Sequence, residues 1–354
     1  MKLIHTSDIH LDSPMTSKLG SSKARERKRE ILDTFRHIID ESRVIGATGV
    51  IIAGDLFDND SVSVKTVDLV MGMIEAAKEV SFLYLPGNHE KNRVLSSGAT
   101  LPKNLKIFGE DWTYFDFDGI TVAGRSETSP DMFNTLELRD SRTNIVVLHG
   151  ELRDRSDMDG KIGAKEISAL PIDYLALGHY HSYRETKISD RCTAVYSGTP
   201  EGRGFDEIGD KGYVIVDASE YGVSSRFVKR SVRSLHIIPV DITGAEREIE
   251  IEDRVAYALS TIPGADLVRV QLVGEHSPEL RRDTEALTKR FSPLHYFIEF
   301  KDETRLHISA DEYKNDKSLK GEFIRLVLSK EGLTDNEKAS IIECGIRALN
   351  GEEI

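Results

Sequence analysis

Five short apolar runs in the first half of the chain each end in a cluster of polar residues, and this pattern constrains the fold most strongly. The runs cover residues 3–6, 49–53, 82–85, 144–148 and 174–177. Apolar, β-branched runs that alternate with helical segments predict the buried strands of a layered α/β protein. Between the second and third runs, apolar residues recur at helical spacing from Val67 to Ala77, which predicts an amphipathic helix.

The polar clusters contain the residue types that bind transition metals. In chain order they supply Asp8, His10, Asp55, Asn88, His89, His149, His179 and His181. Open α/β sheets form their ligand crevice at the carboxyl ends of the strands, so we expect these side chains to meet there. Each motif alone is common in turns, but the ordered set predicts a metal site. Imidazole, carboxylate and amide oxygen together suit Mn, Fe, Zn or Ni better than Ca or Mg.

The number of candidate ligands is sufficient for two metal ions. Adjacent cations repel each other, so a shared carboxylate is expected between them, and two-metal hydrolases place their ions about 3.5–4 Å apart. Asp55 is the candidate bridge because its neighbour Gly54 leaves room for close approach. We expect a turn at Gly178 to aim His179 and His181 at different ions.

A pair of divalent ions predicts hydrolysis of phosphate esters. The ions would make hydroxide available near neutral pH and neutralise phosphate oxygens during in-line attack. His89 directly follows Asn88, so a turn that aims Asn88 at a metal should leave His89 facing the substrate. We assign His89 as the general acid to the leaving alkoxide, or as a donor to the developing phosphorane charge.

The overall charge argues against a protein that coats nucleic acid. There are 47 Lys and Arg residues against 60 Asp and Glu, a net charge of −13, so a nucleic acid would need a locally positive groove. The charged stretch Lys23 to Glu30 alternates in sign and predicts a solvated helix face. With only two cysteines, neither a disulfide framework nor a zinc ribbon is expected.

No apolar run approaches the roughly 20 residues that a membrane-spanning helix needs, and the N-terminus carries His and Asp where a signal peptide would be apolar. We therefore expect a cytoplasmic protein with no membrane association. The segment from Gly204 to Lys211 contains two glycines but lacks the Gly-Lys-Ser/Thr of a phosphate loop, so ATP binding of that kind is not expected.

A change of pattern predicts a second domain. We expect a catalytic domain over residues 1–238, followed by alternating strand-like and helical segments in β-α-β-α-β order. That order predicts a small α+β cap domain over 239–320, with closing helices over 321–354. The last helix begins with Thr334 to Glu337, which fits a capping box.

One predicted cap helix, Pro278 to Phe291, carries a group of basic residues. They are Arg281, Arg282, Lys289 and Arg290. These are the candidates for contact with DNA. A solvated surface that pairs with Glu285 is the simpler interpretation.

The motifs DIHLD, GDLFD, GNHE, LHGE and GHYH resemble, in this order, those of the calcineurin-like metallophosphoesterases, and among them the SbcD-type DNA repair exonucleases. The start DIHLDSP and the segment YSGTPEGRGFDEIGDKG, from Tyr196 to Gly212, are similar to the bacterial YhaO type. The resemblance covers residues 1–235 and weakens afterwards. Asp58 stands where archaeal and eukaryotic relatives have a histidine, so a second active-site histidine is not expected.

The resemblance implies a four-layer α/β/β/α sandwich of two mixed sheets with two Mn ions. One ion would be bound by Asp8, His10, Asp55 and His181. The other would be bound by Asp55, Asn88, His149 and His179, with His89 as the catalytic histidine. The resemblance also implies a cap that contacts DNA, a homodimer formed through helices of the first domain, and a partner ATPase of the SMC-like SbcC type.

Three functional hypotheses follow. The leading one is a Mn-dependent DNA exonuclease or endonuclease that hydrolyses phosphodiester bonds in DNA repair. A second keeps the same metals but acts on small or protein-bound phosphate esters, and a third is a metal-bound scaffold without turnover. The complete ligand set and His89 argue against the scaffold, and a cap after the catalytic core favours a polymeric substrate.

Overall fold

The fold is described from a computed structural model of the chain. The described residues are 1–15, 19–58, 62–87, 101–155, 158, 160–308, 313–349 and 351. The chain divides into two compact units, Met1–Ser234 and Leu235–Ile354. A boundary at residue 238 would cut the strand Leu235–Asp241, and the division instead precedes that strand. Within the described ranges, no helix has both the length and the apolarity that a membrane crossing requires.

Two sheets form the first unit, and each combines parallel and antiparallel pairing. The strands of the first sheet are β1 (Lys2–Thr6), β2 (Gly49–Ala53), β3 (Ser81–Leu85), β4 (Leu105–Ile107), β13 (Gly212–Ser219) and β14 (Gly222–Lys229). Their spatial order is β14-β13-β1-β2-β3-β4. Pairing is parallel from β1 to β4, and β13 and β14 add an antiparallel edge.

The second sheet has the same mixed character. Its strands are β5 (Thr113–Phe117), β6 (Ile120–Gly124), β7 (Thr143–His149), β10 (Tyr174–Gly178), β11 (Arg184–Lys187) and β12 (Thr193–Tyr196). Their spatial order is β11-β12-β10-β7-β6-β5. The strands β6, β7, β10 and β12 are parallel, and β5 and β11 are antiparallel edges. A short parallel pair, β8 (Glu151–Arg153) and β9 (Lys161–Gly163), follows β7.

Helices cover the outer faces of both sheets. They are α1 (Ser21–Val44), α2 (Val64–Ala76), α3 (Ala164–Ser168) and a 3₁₀ turn over Met132–Thr135. Ile4 and Phe82 pack with α1 and α2, whereas their neighbours Leu3 and Leu83 point into the core between the two sheets. The outer core of the second sheet includes Met132 and residues of α3. The predicted four-layer sandwich is confirmed, and so are the five strands that the apolar runs predict.

Burial on both faces explains why these strands appear as continuous apolar runs. Strands of sheets that are covered on both sides need apolar residues at every position, and each fully buried Val, Leu or Ile contributes about 1.5–3 kcal/mol. All five residues of β2 are buried. Parallel strands need a crossover connection, usually a helix, and α2 provides it between β2 and β3.

The helix α1 departs from the prediction of a solvated charged face. Arg27 is buried with a relative exposure of 1%. Its Nη2 donates to Glu201 Oε2 at 3.1 Å and to the carbonyl oxygen of Gly202 at 2.8 Å, and its Nη1 donates to Glu30. The charge alternation correctly indicated a helix, but it did not reveal a carboxylate far along the chain that draws one arginine inward.

The second unit contains a three-stranded parallel sheet covered by two helices. Its strands are β15 (Leu235–Asp241), β16 (Leu267–Val273) and β18 (Phe297–Asp302), with a short pair β17 (Glu275–His276) and β19 (Arg305–Leu306). Its first helices are α4 (Glu248–Leu259) and α5 (Thr284–Phe291), and a 3₁₀ turn over Ser292–Leu294 follows. Val255 and Leu287 pack with Val270. The expected β-α-β-α-β order is confirmed.

Two boundaries in this unit reflect helix capping. The expected helix from Pro278 begins only at Thr284, because the Asp283 side chain accepts a hydrogen bond from Ala286 N at 2.9 Å and caps it there. The closing helices are α6 (Leu319–Leu328) and α7 (Asp335–Leu349). The predicted capping box is confirmed: Glu337 accepts from Thr334 N at 2.7 Å, and Thr334 Oγ1 accepts from Glu337 N at 3.3 Å.

The closing helices form their own small core. Ile324 and Val327 of α6 pack with Ile342 and Ile346 of α7. These apolar residues recur at helical spacing and are buried within the second unit. The separation of residues 321–354 from the cap as a distinct domain stays a prediction.

His5 in β1 makes the stability of the first unit depend on pH. Complete burial lowers the pKa of His5 to about 3, and its Nδ1 lies 3.0 Å from the Tyr174 hydroxyl. Between pH 6.5 and 3 the unfolded chain therefore binds a proton that the folded chain excludes. Stability should fall with decreasing pH by about 1.4 kcal/mol per pH unit from this group.

We expect His5→Asn to remove that slope between pH 6 and 4, whereas Tyr174→Phe, which leaves His5 buried, should keep it. The single tryptophan, Trp112, lies in the first unit, so its fluorescence during urea unfolding reports that unit alone. An unchanged slope in His5→Asn would contradict the assignment.

Candidate metal centre

Four strand ends of the first unit meet at one edge of the sandwich. In the first sheet, Asp8 N after β1 donates to the carbonyl oxygen of Gly54 after β2 at 3.0 Å, and His10 N donates to that of Asp55 at 3.0 Å. In the second sheet, Gly178 at the end of β10 pairs in register with His149 at the end of β7. The turns are thus tied to one another, and their side chains share one cleft.

Four of the predicted ligands adopt a backbone conformation that non-glycine residues rarely take. The φ angle is +51° at Asp8, +49° at His10, +49° at Asp55 and +106° at His179. Such conformations cost about 1–3 kcal/mol each and persist where the surrounding structure over-determines them. Their concentration at one sheet edge marks a functional site, since the strain aims the side chains into the cleft.

The side chains form two overlapping groups of potential ligands. Asp8, His10 and His181 form the first group, with 3.3 Å between the two Nε2 atoms and 3.9 Å from His181 Nε2 to Asp8 Oδ1. Asp8, Asp55 and His149 form the second, with 3.4 Å from His149 Nε2 to Asp55 Oδ2. The same Asp55 oxygen lies 3.9 Å from His10 Nε2. Asp55 therefore faces a histidine of each group, as a bridging carboxylate must.

These residues fit divalent metal ions. Asp8 and Asp55 are buried with relative exposures of 0% and 2%. His149 Nε2 is also buried, and it has no hydrogen-bond partner among the described residues. Buried carboxylates are expensive without a compensating cation, and a buried nitrogen without a partner is unfavourable for the same reason. A metal ion between them satisfies both.

The ligand orientations are fixed by hydrogen bonds from their surroundings. Asp8 accepts from Ser7 Oγ at 2.5 Å and from His179 N at 3.0 and 3.1 Å. His149 Nδ1 lies 3.0 Å from the carbonyl oxygen of Ala53. Because a carbonyl only accepts, His149 Nδ1 carries the proton and Nε2 presents its lone pair to the cleft.

The carboxylates create a field that favours positive charge. Burial alone lowers the pKa of His149, but its interaction with Asp55, whose Oδ2 lies 3.4 Å from Nε2, and the charge of Asp8 raise it to about 9. Burial likewise opposes protonation of His181, whereas Glu207 and Asp8 raise its pKa above the usual value. For His179, burial and the nearby His149 lower the pKa. A field that stabilises a protonated imidazole also stabilises a cation that competes for the same nitrogen.

Three glycines allow the close packing of this centre. A Cβ at Gly54, where φ is +95°, would overlap the His149 ring, and a Cβ at Gly87 would overlap the Asp55 carboxylate. A Cβ at Gly178 would overlap the carbonyl oxygen of Ala53. The expected reason for Gly178 is therefore wrong: close approach requires this glycine, and the left-handed turn falls on His179.

The predicted site residues do not all lie in the described groups. His179 is an exposed residue, and the centroid of its ring lies 5.6 Å from that of the His149 ring. Asn88 and His89 lie outside the described residues, so their roles stay predictions.

The predicted DNA contacts lie in the second unit, where carboxylates neutralise three of them. Arg282 donates to Asp302 and Glu343 at 2.9 and 2.6 Å. Arg281 lies 3.6 Å from Glu248, and Arg290 lies 3.1 Å from Glu252. The expected pairing with Glu285 is replaced by these partners. Only Lys289 and Arg290 lie on α5, because the helix begins after Arg281 and Arg282.

The residues that support His181 are not predicted by the sequence. Glu207 Oε1 lies 2.7 Å from His181 Nδ1, and Arg203 Nη2 donates to the same Glu207 oxygen at 2.7 Å. Both residues lie in the segment that the sequence singles out by its similarity to YhaO-type proteins. Their polar side chains between glycines carry no metal-ligand spacing, and only the fold places them behind His181.

Comparison with known proteins gives a family match and distant relatives. The model of the calcineurin-like phosphoesterase family matches residues 1–183, just over half of the chain. The "uncharacterized metallophosphoesterase YhaO" of Bacillus subtilis is 26% identical over 263 residues, which cover 70% of this chain and 64% of that protein. The DNA double-strand break repair protein Mre11 of Saccharolobus solfataricus is 24% identical. Its alignment with this chain is 385 residues long and covers 100% of this chain and 96% of that protein.

Two solved structures are similar to part of the chain. TT1561 of Thermus thermophilus gives a TM-score of 0.43 at 12% identity, and the superposed region covers 64% of this chain and 99% of the TT1561 chain. A dimetal phosphatase from Danio rerio gives 0.39 at 10% identity and covers 61% of this chain and 92% of its own.

The tight packing against Asp55 provides a test of the centre. We expect Gly87→Ala to displace the Asp55 carboxylate and to weaken Mn²⁺ binding by about 10–100-fold, the effect typical of disturbed metal-ligand support. Isothermal titration calorimetry with MnCl₂ measures this. Gly20→Ala is the matched control because its Cβ would meet nothing within 4 Å. Equal Mn²⁺ affinity in Gly87→Ala and the control would exclude Asp55 as a ligand.

Proposed function

This chain belongs to the calcineurin-like phosphoesterase family, and we propose that it is a dinuclear-metal-dependent DNA nuclease that hydrolyses phosphodiester bonds in DNA repair. The observation that carries the proposal is the convergence of Asp8, His10, Asp55, His149 and His181 in one buried cleft. Family membership supports hydrolysis of a phosphate ester. The choice of DNA as substrate rests on further observations.

The similarity to Mre11 extends through both units, and this favours a nuclease over other phosphoesterases. The alignment with the Saccharolobus solfataricus protein includes the second unit, which lies beyond the family match. A second unit after the catalytic core favours a polymeric substrate over a small ester. The alignment to the YhaO protein spans less than two thirds of its length, so the activity of the whole relative is not transferred.

The ligand set indicates how two ions would be held. Asp8, His10 and His181 would hold one, His149 would hold the other with Asn88 and His179, and Asp55 would serve both. When bound, such ions make hydroxide available near neutral pH and offset the charge of the phosphate during in-line attack. Histidine and carboxylate ligands suit Mn, Fe, Zn or Ni, and the resemblance to SbcD-type nucleases favours Mn²⁺ among them.

The chain itself supplies orientation and a proton. The strained turns and the hydrogen bonds to Asp8 and His149 hold the ligands before the substrate arrives, so little reorganisation is needed during reaction. His89 is proposed to donate a proton to the leaving alkoxide oxygen, because a general acid is the remaining requirement of ester hydrolysis. No covalent nucleophile is needed.

The proposal extends to the partners and the location of the protein. We propose a cytoplasmic homodimer formed through helices of the first unit, with an SbcC-type ATPase partner, since the resemblance to SbcD-type nucleases implies both. The proposal includes DNA contact by Arg281, Arg282, Lys289 and Arg290, and the carboxylates beside the three arginines reduce the net charge of this surface.

A substrate panel tests the proposed activity. Purified protein should cleave linear duplex or single-stranded DNA with Mn²⁺ and lose this activity with chelator, and bis-para-nitrophenyl phosphate should also be hydrolysed. Cleavage of the small ester alone would support the phosphoesterase alternative and contradict the nuclease. Binding of metal without turnover on any substrate would support a scaffold.

Replacement of His89 tests the proton donor. We expect His89→Ala to keep both metal ions and to lose about 10²–10⁴-fold in DNA cleavage rate, the usual contribution of a general acid. Metal content by mass spectrometry and the single-turnover rate give the two readouts. His37→Ala on α1 is the control for a histidine outside the cleft. A near-normal rate in His89→Ala would remove this residue from the mechanism.

A further inference from the structure

We propose that Glu207, held by Arg203, is a positioning residue for His181 and thereby sets the affinity of one of the two metal sites. The inference rests on the proposed dinuclear function. It concerns residues outside the predicted ligand set, and it distinguishes the two ions from each other.

The contact between Glu207 and His181 fixes the orientation of the imidazole. Glu207 is buried with a relative exposure of 3%, and its Oε1 lies 2.7 Å from His181 Nδ1. Arg203 Nη2 lies farther from the same nitrogen, at 3.3 Å. A carboxylate only accepts, so His181 Nδ1 carries the proton and Nε2 offers its lone pair toward His10 and Asp8.

Arg203 locks this carboxylate in place. Its Nη2 and Nε donate to Glu207 Oε1 at 2.7 and 3.1 Å, and its backbone N donates to Oε2 at 2.7 Å. Its Nη1 donates to Asp58 Oδ1 at 2.7 Å, and that oxygen lies 3.3 Å from His10 Nδ1. One guanidinium therefore joins the two carboxylates that lie behind the histidines of the first ligand group.

The segment that carries these residues is anchored at both ends. At its start, Glu201 is buried and accepts from Arg27 at 3.1 Å, from Thr34 Oγ1 at 2.8 Å and from Val232 N at 2.5 Å. At its end, the buried Lys211 donates to the carbonyl oxygen of His181 at 2.5 Å. Residues 201–211 thus form a preorganised support, which holds both the backbone and the ring of His181.

The second ligand group lacks such a support among the described residues. His149 Nδ1 faces the backbone carbonyl of Ala53, which is neutral and belongs to strand β2. A charged carboxylate raises the basicity of its histidine more than a neutral carbonyl does. The ion near His181 should therefore depend on Glu207, whereas the ion near His149 should not.

The experiment measures metal binding rather than turnover. Wild type, Glu207→Gln, Arg203→Lys and Asp173→Asn are titrated with MnCl₂ by calorimetry, and electron paramagnetic resonance distinguishes coupled Mn pairs from single ions. Asp173→Asn is the matched control, since this carboxylate binds Arg191 Nε at 2.9 Å and lies just before β10, away from the strand end that bears His181.

We expect Glu207→Gln to weaken one of two Mn²⁺ sites by about 10–100-fold and to leave the other unchanged, with single-ion spectra at intermediate Mn²⁺. Arg203→Lys should weaken the same site by a smaller factor, and it decides the question if Glu207→Gln fails to fold by Trp112 fluorescence. Wild-type affinities at both sites in the folded variants would overturn the inference. Fewer than two sites in the wild type would instead contradict the proposed function.

Discussion

The structure depends on two carboxylates, Asp8 and Asp55, that are buried together between the ends of two sheets. Removing such charges from water costs several kcal/mol per ion unless positive charge compensates them. The imidazoles of His10, His149 and His181 supply lone pairs beside them. Carboxylates raise the pKa of two of these histidines, Asp55 and Asp8 for His149 and Glu207 and Asp8 for His181. A divalent cation would compensate the buried charges of Asp8 and Asp55, and the two sheets hold these side chains in place.

The apolar core of the sandwich offsets the backbone strain at the metal centre. The strands β1, β2, β7 and β10 are buried on both faces, and this extensive apolar core tolerates left-handed backbone at Asp8, His10 and Asp55. Glycines at 54 and 87 remove the side-chain atoms that would obstruct the carboxylate and imidazole. Strain and close packing at one edge are thus balanced by ordinary burial in the layers below.

The sequence made the strands and the metal-binding edge predictable because both leave local signals. A strand such as β2 appears as an apolar run that Gly54 and Asp55 follow. Because these residues come directly after the strand, they must lie at the edge of the sheet where the strand ends. The support of His181 left no such signal. Arg27 and Glu201 are separated by 174 residues, and Glu207 acts through a contact that only the folded chain creates. Gly178 was identified for the wrong physical reason, since sequence cannot distinguish a turn from a close approach.

The most direct test of the central claim is anomalous diffraction from crystals soaked in Mn²⁺. Two anomalous peaks about 3.5–4 Å apart are expected, with the Asp55 carboxylate between them, His181 beside one peak and His149 beside the other. A cleft without anomalous density, or a single peak beyond bonding distance of Asp55, would contradict the central claim.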